Sequence, residues 1–212
     1  LYNLVNIMFT RFGIPGIIVR DPAVPLFDDT NARIKVPSSG NPILGICDGK
    51  PFEMMSSYEA SSTADTGTTT SLRDASLVQG SGFWVDAWVI FTSGANNGEA
   101  RQVTGFEPVN GVPTLQWADP LGTAVSTGDT FVVTFYYIQN LTNGAENYVY
   151  ARSIGGDTFR TPRDAIVQWV ANTTGVKTDG DILVGTMTLD GSGAVTAVNY
   201  EPDDHDRILY QG

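Results

Sequence analysis

Glycine or proline interrupts this chain every few residues: 23 Gly and 11 Pro fall among 212 residues, and the segments between them are rich in Val, Ile, Thr, Phe, Tyr and Trp. Proline disrupts a helix interior and removes a ladder hydrogen bond from a central strand, while glycine permits the reversals that short strands need. β-Branched and aromatic side chains suit a pleated, half-buried surface. The chain is therefore read as all-β, with small antiparallel β-sandwich or barrel modules preceded by an extended Pro-rich N-terminal segment. Residues 164–172, just after Pro162, admit a short helix, yet Ile166-Val167-Gln168-Trp169-Val170 fits a strand as well and is assigned as one.

Three regions follow from the punctuation. Residues 1–66 carry Pro15, Pro22, Pro25, Pro37, Pro42 and Pro51 and run into the Ser/Thr/Gly tract 61–71, which reads as an extended arm or edge-strand segment with a linker. Residues 67–137 form the middle module. There Phe83, Val85, Ala87, Val89 and Phe91 make one apolar face of an expected strand, and Trp84, Asp86 and Trp88 the other. Turns at Asn97-Gly98 and Asn110-Gly111 bracket an expected partner strand over 99–106, and a closing strand alternates through 130–137. Residues 138–212 form a last β module that ends in a hairpin, 181–189 paired with 194–200 across Asp190-Gly191-Ser192-Gly193.

Charge and residue counts exclude several function classes. Twelve Lys and Arg stand against 23 Asp and Glu, a net charge of −11, which opposes a nucleic-acid partner because that affinity rests on phosphate neutralisation. No apolar run approaches the length of a spanning helix, so membrane insertion is not expected. Asn3, Asn6 and Arg11 break the apolar start, against a signal peptide. Cys47 and His205 are the sole cysteine and histidine, which removes an intrachain disulfide and most metal-hydrolase and thiol-protease designs. Cys47 reads as a buried structural thiol. Neither a nucleophile elbow nor a phosphate loop is present, and no cofactor is expected.

Two groups remain as candidates. Asp203, Asp204, His205 and Asp206 offer oxygen and imidazole ligands for Ca²⁺, Mn²⁺ or Zn²⁺, or else form a solvated acidic turn. Asp179-Gly180-Asp181 and Asp190-Gly191 read as turn caps. Trp84, Trp88 and Trp117 form either a sugar-stacking platform or interface and packing aromatics. Among 17 Asp and 6 Glu no pair stands out as the two carboxylates of a glycosidase.

The stretch from Phe83-Trp84 through Trp88-Val89-Ile90-Phe91-Thr92-Ser93-Gly94-Ala95-Asn96-Asn97-Gly98 to Arg101-Gln102-Val103-Thr104, closed by Gly128-Asp129-Thr130-Phe131, resembles a module of tailed-bacteriophage virion proteins. Residues 181–193 resemble hairpins of phage fibre and baseplate proteins, and the two stretches together span less than a third of the chain. The resemblance implies a non-enzymatic virion protein, associated with the tail as fibre or baseplate. It would form a homo-oligomer, a trimer being one arrangement, and contact other virion proteins through its β modules and N-terminal arm. Within that class the alternative is a capsid decoration or cement protein. From a different class comes a carbohydrate-binding module or glycan hydrolase of a receptor-binding fibre, with a host-surface glycan as partner.

Overall fold

The computed structural model describes residues 16–20, 25–47, 50–156, 165–200 and 207–210. In chain order the strands are β1 Gly16–Arg20, β2 Phe27–Asp28, β3 Arg33–Ile34, β4 Ile43–Cys47, β5 Lys50–Met54, β6 Glu59–Thr63, β7 Thr66–Gly67, β8 Ser71–Arg73, β9 Trp88–Phe91 and β10 Ala100–Gln102. They continue as β11 Gly105–Val109, β12 Val112–Gln116, β13 Thr130–Thr134, β14 Ile138–Gln139, β15 Glu146–Gly156, β16 Ala165–Asn172, β17 Ile182–Leu189, β18 Val195–Asn199 and β19 Arg207–Tyr210. The fold is all-β: among the described residues the sole helical element is one 3₁₀ turn, Ser56–Tyr58. Residues 165–172 are strand, as their β-branched and aromatic content favours.

The chain forms two compact units, Ser57–Phe135 and a second made of Leu1–Ser56 with Tyr136–Gly212. Sequence punctuation places the divisions near 66 and 137 and reads residues 1–66 as an extended arm or edge-strand segment with a linker. The described part of that region contributes β4 and the edge strand β5, an antiparallel hairpin that buries Ile46, Cys47, Phe52 and Met54. The prolines are compatible with this. Pro25, Pro37 and Pro42 lie between strands, and Pro51 sits in β5 at the edge of its sheet, where a missing N–H costs no ladder bond. Pro15 and Pro22 lie outside the described residues, as does the arm reading of 1–15.

Unit Ser57–Phe135 holds two four-stranded sheets, ordered β10-β9-β13-β6 and β11-β12-β8-β7. Val89, Phe91, Phe131 and Val133 from the first and Leu72, Phe106 and Leu115 from the second are buried. A side chain of this kind contributes about 1.5–3 kcal/mol when fully buried. Asn110 and Gly111 both take positive φ (53° and 78°) between β11 and β12, the two-residue reversal their sequence favours.

Two strands of this unit differ from the pattern read in the sequence. The expected strand over 83–91 exists only as β9. Before it the backbone turns repeatedly: Phe83 N–H donates to Gly80 O (3.1 Å), Val85 N–H to Gly82 O (3.0 Å) and Ala87 N–H to Trp84 O (3.1 Å), and Asp86 has φ 70°. Local turn bonds thus override the alternation. The expected strand over 99–106 splits into β10 and β11. Val103 N–H bonds Ala87 O in one sheet and Thr104 N–H bonds Gln116 O in the other, both at 2.8 Å, so the chain changes sheets between adjacent residues.

The second unit centres on the eleven-residue β15 in a five-stranded sheet, β14-β16-β15-β17-β18. A four-stranded sheet, β19-β1-β4-β5, packs on it through β4 against β15 and β5 against β16. Val149, Ala151, Val167, Trp169, Ile182, Val184 and Met187 are buried there. The C-terminal hairpin forms as its sequence indicates, β17 pairing antiparallel with β18. Asp190 holds its turn, with Oδ1 accepting from the N–H groups of Ser192 (2.8 Å) and Ala194 (2.9 Å).

Candidate binding groove

Strand β10 is the edge of its sheet, and Arg101 extends across that edge. Its Nε donates to Asp119 O (2.9 Å), Nη2 to Pro120 O (3.2 Å), and Nη1 to both Ala100 O and the Glu99 carboxylate (2.8 Å each). One guanidinium therefore ties the segment after β12 to the sheet edge. A groove of about 310 Å³ lies here, lined by Trp88, Ala100, Arg101, Gln102, Thr104, Trp117, Ala118 and Asp119. The β9–β10 register sets Gln102 opposite Trp88.

The three tryptophans singled out from the sequence do not share a surface. Trp84 is wholly buried, stacked on Phe135 (5.8 Å, 16°), edge-on to Phe83, and bonded through Nε1 to Gln79 Oε1 at 3.2 Å. The turns at 80–87 replace the extended backbone that would have set Trp84 and Trp88 on one strand face. Trp88 is half-buried at the groove, and Trp117 lines it while holding Thr69 O through Nε1 (3.0 Å) and packing edge-on to Phe91. Arg101, Gln102, Thr104 and Asp119 were not singled out as site residues. The only sequence signal for Gln102 was hairpin pairing across Asn97-Gly98.

The other candidates are placed as follows. Asp203, Asp204, His205 and Asp206 lie outside the described residues. Among the described residues no group of three or more His, Cys, Asp or Glu could hold a metal ion. Asp181 accepts from Thr178 N–H (3.2 Å) and pairs with Arg152 (2.7 Å), which raises the arginine's affinity for its proton through that hydrogen bond. Asp190 titrates below the ordinary aspartate value because the Ser192 hydroxyl and neighbouring backbone N–H groups bond its carboxylate. Cys47 is fully buried, its thiol 3.5 Å from Ala151 O.

The two segments of the first resembling stretch, 83–104 and 128–131, meet at one corner of the Ser57–Phe135 unit. Ser93 Oγ accepts from Thr130 N–H (2.7 Å), Thr92 N–H donates to Thr130 O (2.9 Å), and the Thr92 and Thr130 hydroxyls lie 2.8 Å apart. Gly94, at φ 74°, lies against the Asp129 carboxylate, which accepts from Ser126 N–H at 2.8 Å. Asn96 is buried and donates to Thr123 O (3.1 Å). No protein family, curated protein or solved structure matches this chain.

Proposed function

We propose that this chain is a non-enzymatic structural component of a tailed-phage virion, associated with the tail as fibre or baseplate, where it assembles with copies of itself and with other virion proteins. The observation that carries the reading is the corner just described. Thr92, Ser93, Gly94 and Asn96 from one part of the resembling sequence, and Asp129 and Thr130 from the other, engage one another or nearby backbone. A motif whose polar groups are committed to holding two loops together suits a scaffold. Sheet edges such as β6 and β18 supply backbone groups through which copies can pair.

Mass spectrometry of separated heads and tails from purified particles of the source tests this. The chain is expected in the tail fraction. Recovery in heads would overturn the tail assignment in favour of capsid decoration, and absence from both would overturn the virion assignment.

A further inference from the structure

We propose that the groove along β10 is a binding site for a single neutral sugar ring, an inference that rests on the groove's own chemistry and stands apart from the virion reading. A volume of about 310 Å³ falls at the lower end of small-ligand sites and accommodates one ring. Trp88, half-buried, gives the groove aromatic surface suited to the C–H face of a pyranose, with Trp117, 3% exposed, forming part of the lining beneath. Gln102, beside Trp88 in the register, and Asp119 both line the groove. Neither side chain hydrogen-bonds another described residue, which leaves an amide and a carboxylate for ligand hydroxyls.

The remaining polar groups narrow the ligand class. Every nitrogen of the Arg101 guanidinium is already bonded, to Glu99 or to the carbonyls of residues 100, 119 and 120. The groove therefore presents an open carboxylate with its cation committed, a setting that repels an anionic ligand and suits a polyol. The same guanidinium crosses the outer side of β10, obstructing an added peptide strand where an open edge would invite one. It also holds the backbone at Asp119 and Pro120 before any ligand arrives, which lowers the ordering cost of that segment on binding.

The test is titration of the intact chain, followed by NMR, with the methyl glycosides of glucose, galactose, mannose and N-acetylglucosamine, and with methyl glucuronide as the anionic comparison. At least one neutral glycoside should bind saturably with Kd of about 1 mM or tighter, and glucuronide more weakly. Asp119→Ala and Gln102→Ala should each weaken that binding about tenfold or more, with the urea midpoint unchanged. Absence of saturable binding to all four neutral glycosides, tighter binding of glucuronide, or affinity unchanged in both variants would overturn the proposal.

Discussion

Replacing Gly94 by alanine strikes the corner at its tightest point. Gly94 has φ 74°, and a methyl group there would collide with the Asp129 carboxylate, its Cγ only 2.6 Å away. An L-residue in left-handed conformation costs about 1–2 kcal/mol. Asp129, 7% exposed, must then move and lose its bond from Ser126 N–H, a charge-assisted contact worth about 1.5–3 kcal/mol. Alanine also stiffens the unfolded chain, which offsets about 0.4–1 kcal/mol, so the net destabilisation is about 2–4 kcal/mol. Gly98→Ala is the internal control. Its φ is also positive, at 86°, but no atom lies within 4 Å of the added carbon, so it should cost only about 1 kcal/mol. Urea unfolding followed by tryptophan fluorescence measures both, and in an Asp129→Ala background the Gly94→Ala effect should shrink to that of Gly98→Ala. Equal costs for the two glycines, within about 0.5 kcal/mol, would refute the claim that contact with Asp129 organises the corner.

Arg152→Ala leaves the Asp181 carboxylate, 3% exposed, with its bond from Thr178 N–H and no cation. Because Arg152 itself is 37% exposed, the expected loss is about 2–3 kcal/mol, below that of a fully buried pair, and urea unfolding will measure it. The Asp190 carboxylate should titrate below an ordinary aspartate, as NMR of its Cγ can establish. Its folded-state affinity for protons is depressed, so the turn's contribution to stability is present above about pH 4 and is lost as pH falls through the lowered value. Deleting residues 1–60 should abolish cooperative unfolding of the unit containing 136–212, because it removes β4 and β5 with Ile46, Cys47, Phe52 and Met54. Retention of near-UV circular dichroism from Trp169 in the truncated chain would show instead that these strands are dispensable.

The legibility of each part of this chain followed the range of the interactions that set it. Turn residues that tolerate positive φ, flanked by β-branched runs, marked the 110–111 reversal and the C-terminal hairpin, and both are formed. Phe83 to Phe91 alternates as regularly, yet half of it is turn, because bonds spaced three residues apart at 80–87 compete with pairing that periodicity does not register. The groove was less legible than the hairpins. Trp88 and Trp117 drew notice as large aromatics, whereas Arg101 and Asp119 meet only through backbone carbonyls on a segment eighteen residues further along.

Composition and local chemistry by themselves determined that this chain is all-β, because Gly admits the positive φ of reversals while Pro fixes φ and β-branched side chains favour extended backbone, each at its own position. Tertiary structure alone decided that the N-terminal strands join the C-terminal sheet unit, that the chain changes sheets at Val103–Thr104, and that Trp84 is buried while Trp88 borders a groove. Those outcomes depend on which faces find each other across long loops. That choice is settled by non-local burial and ladder pairing, whose energies have no local sequence signature.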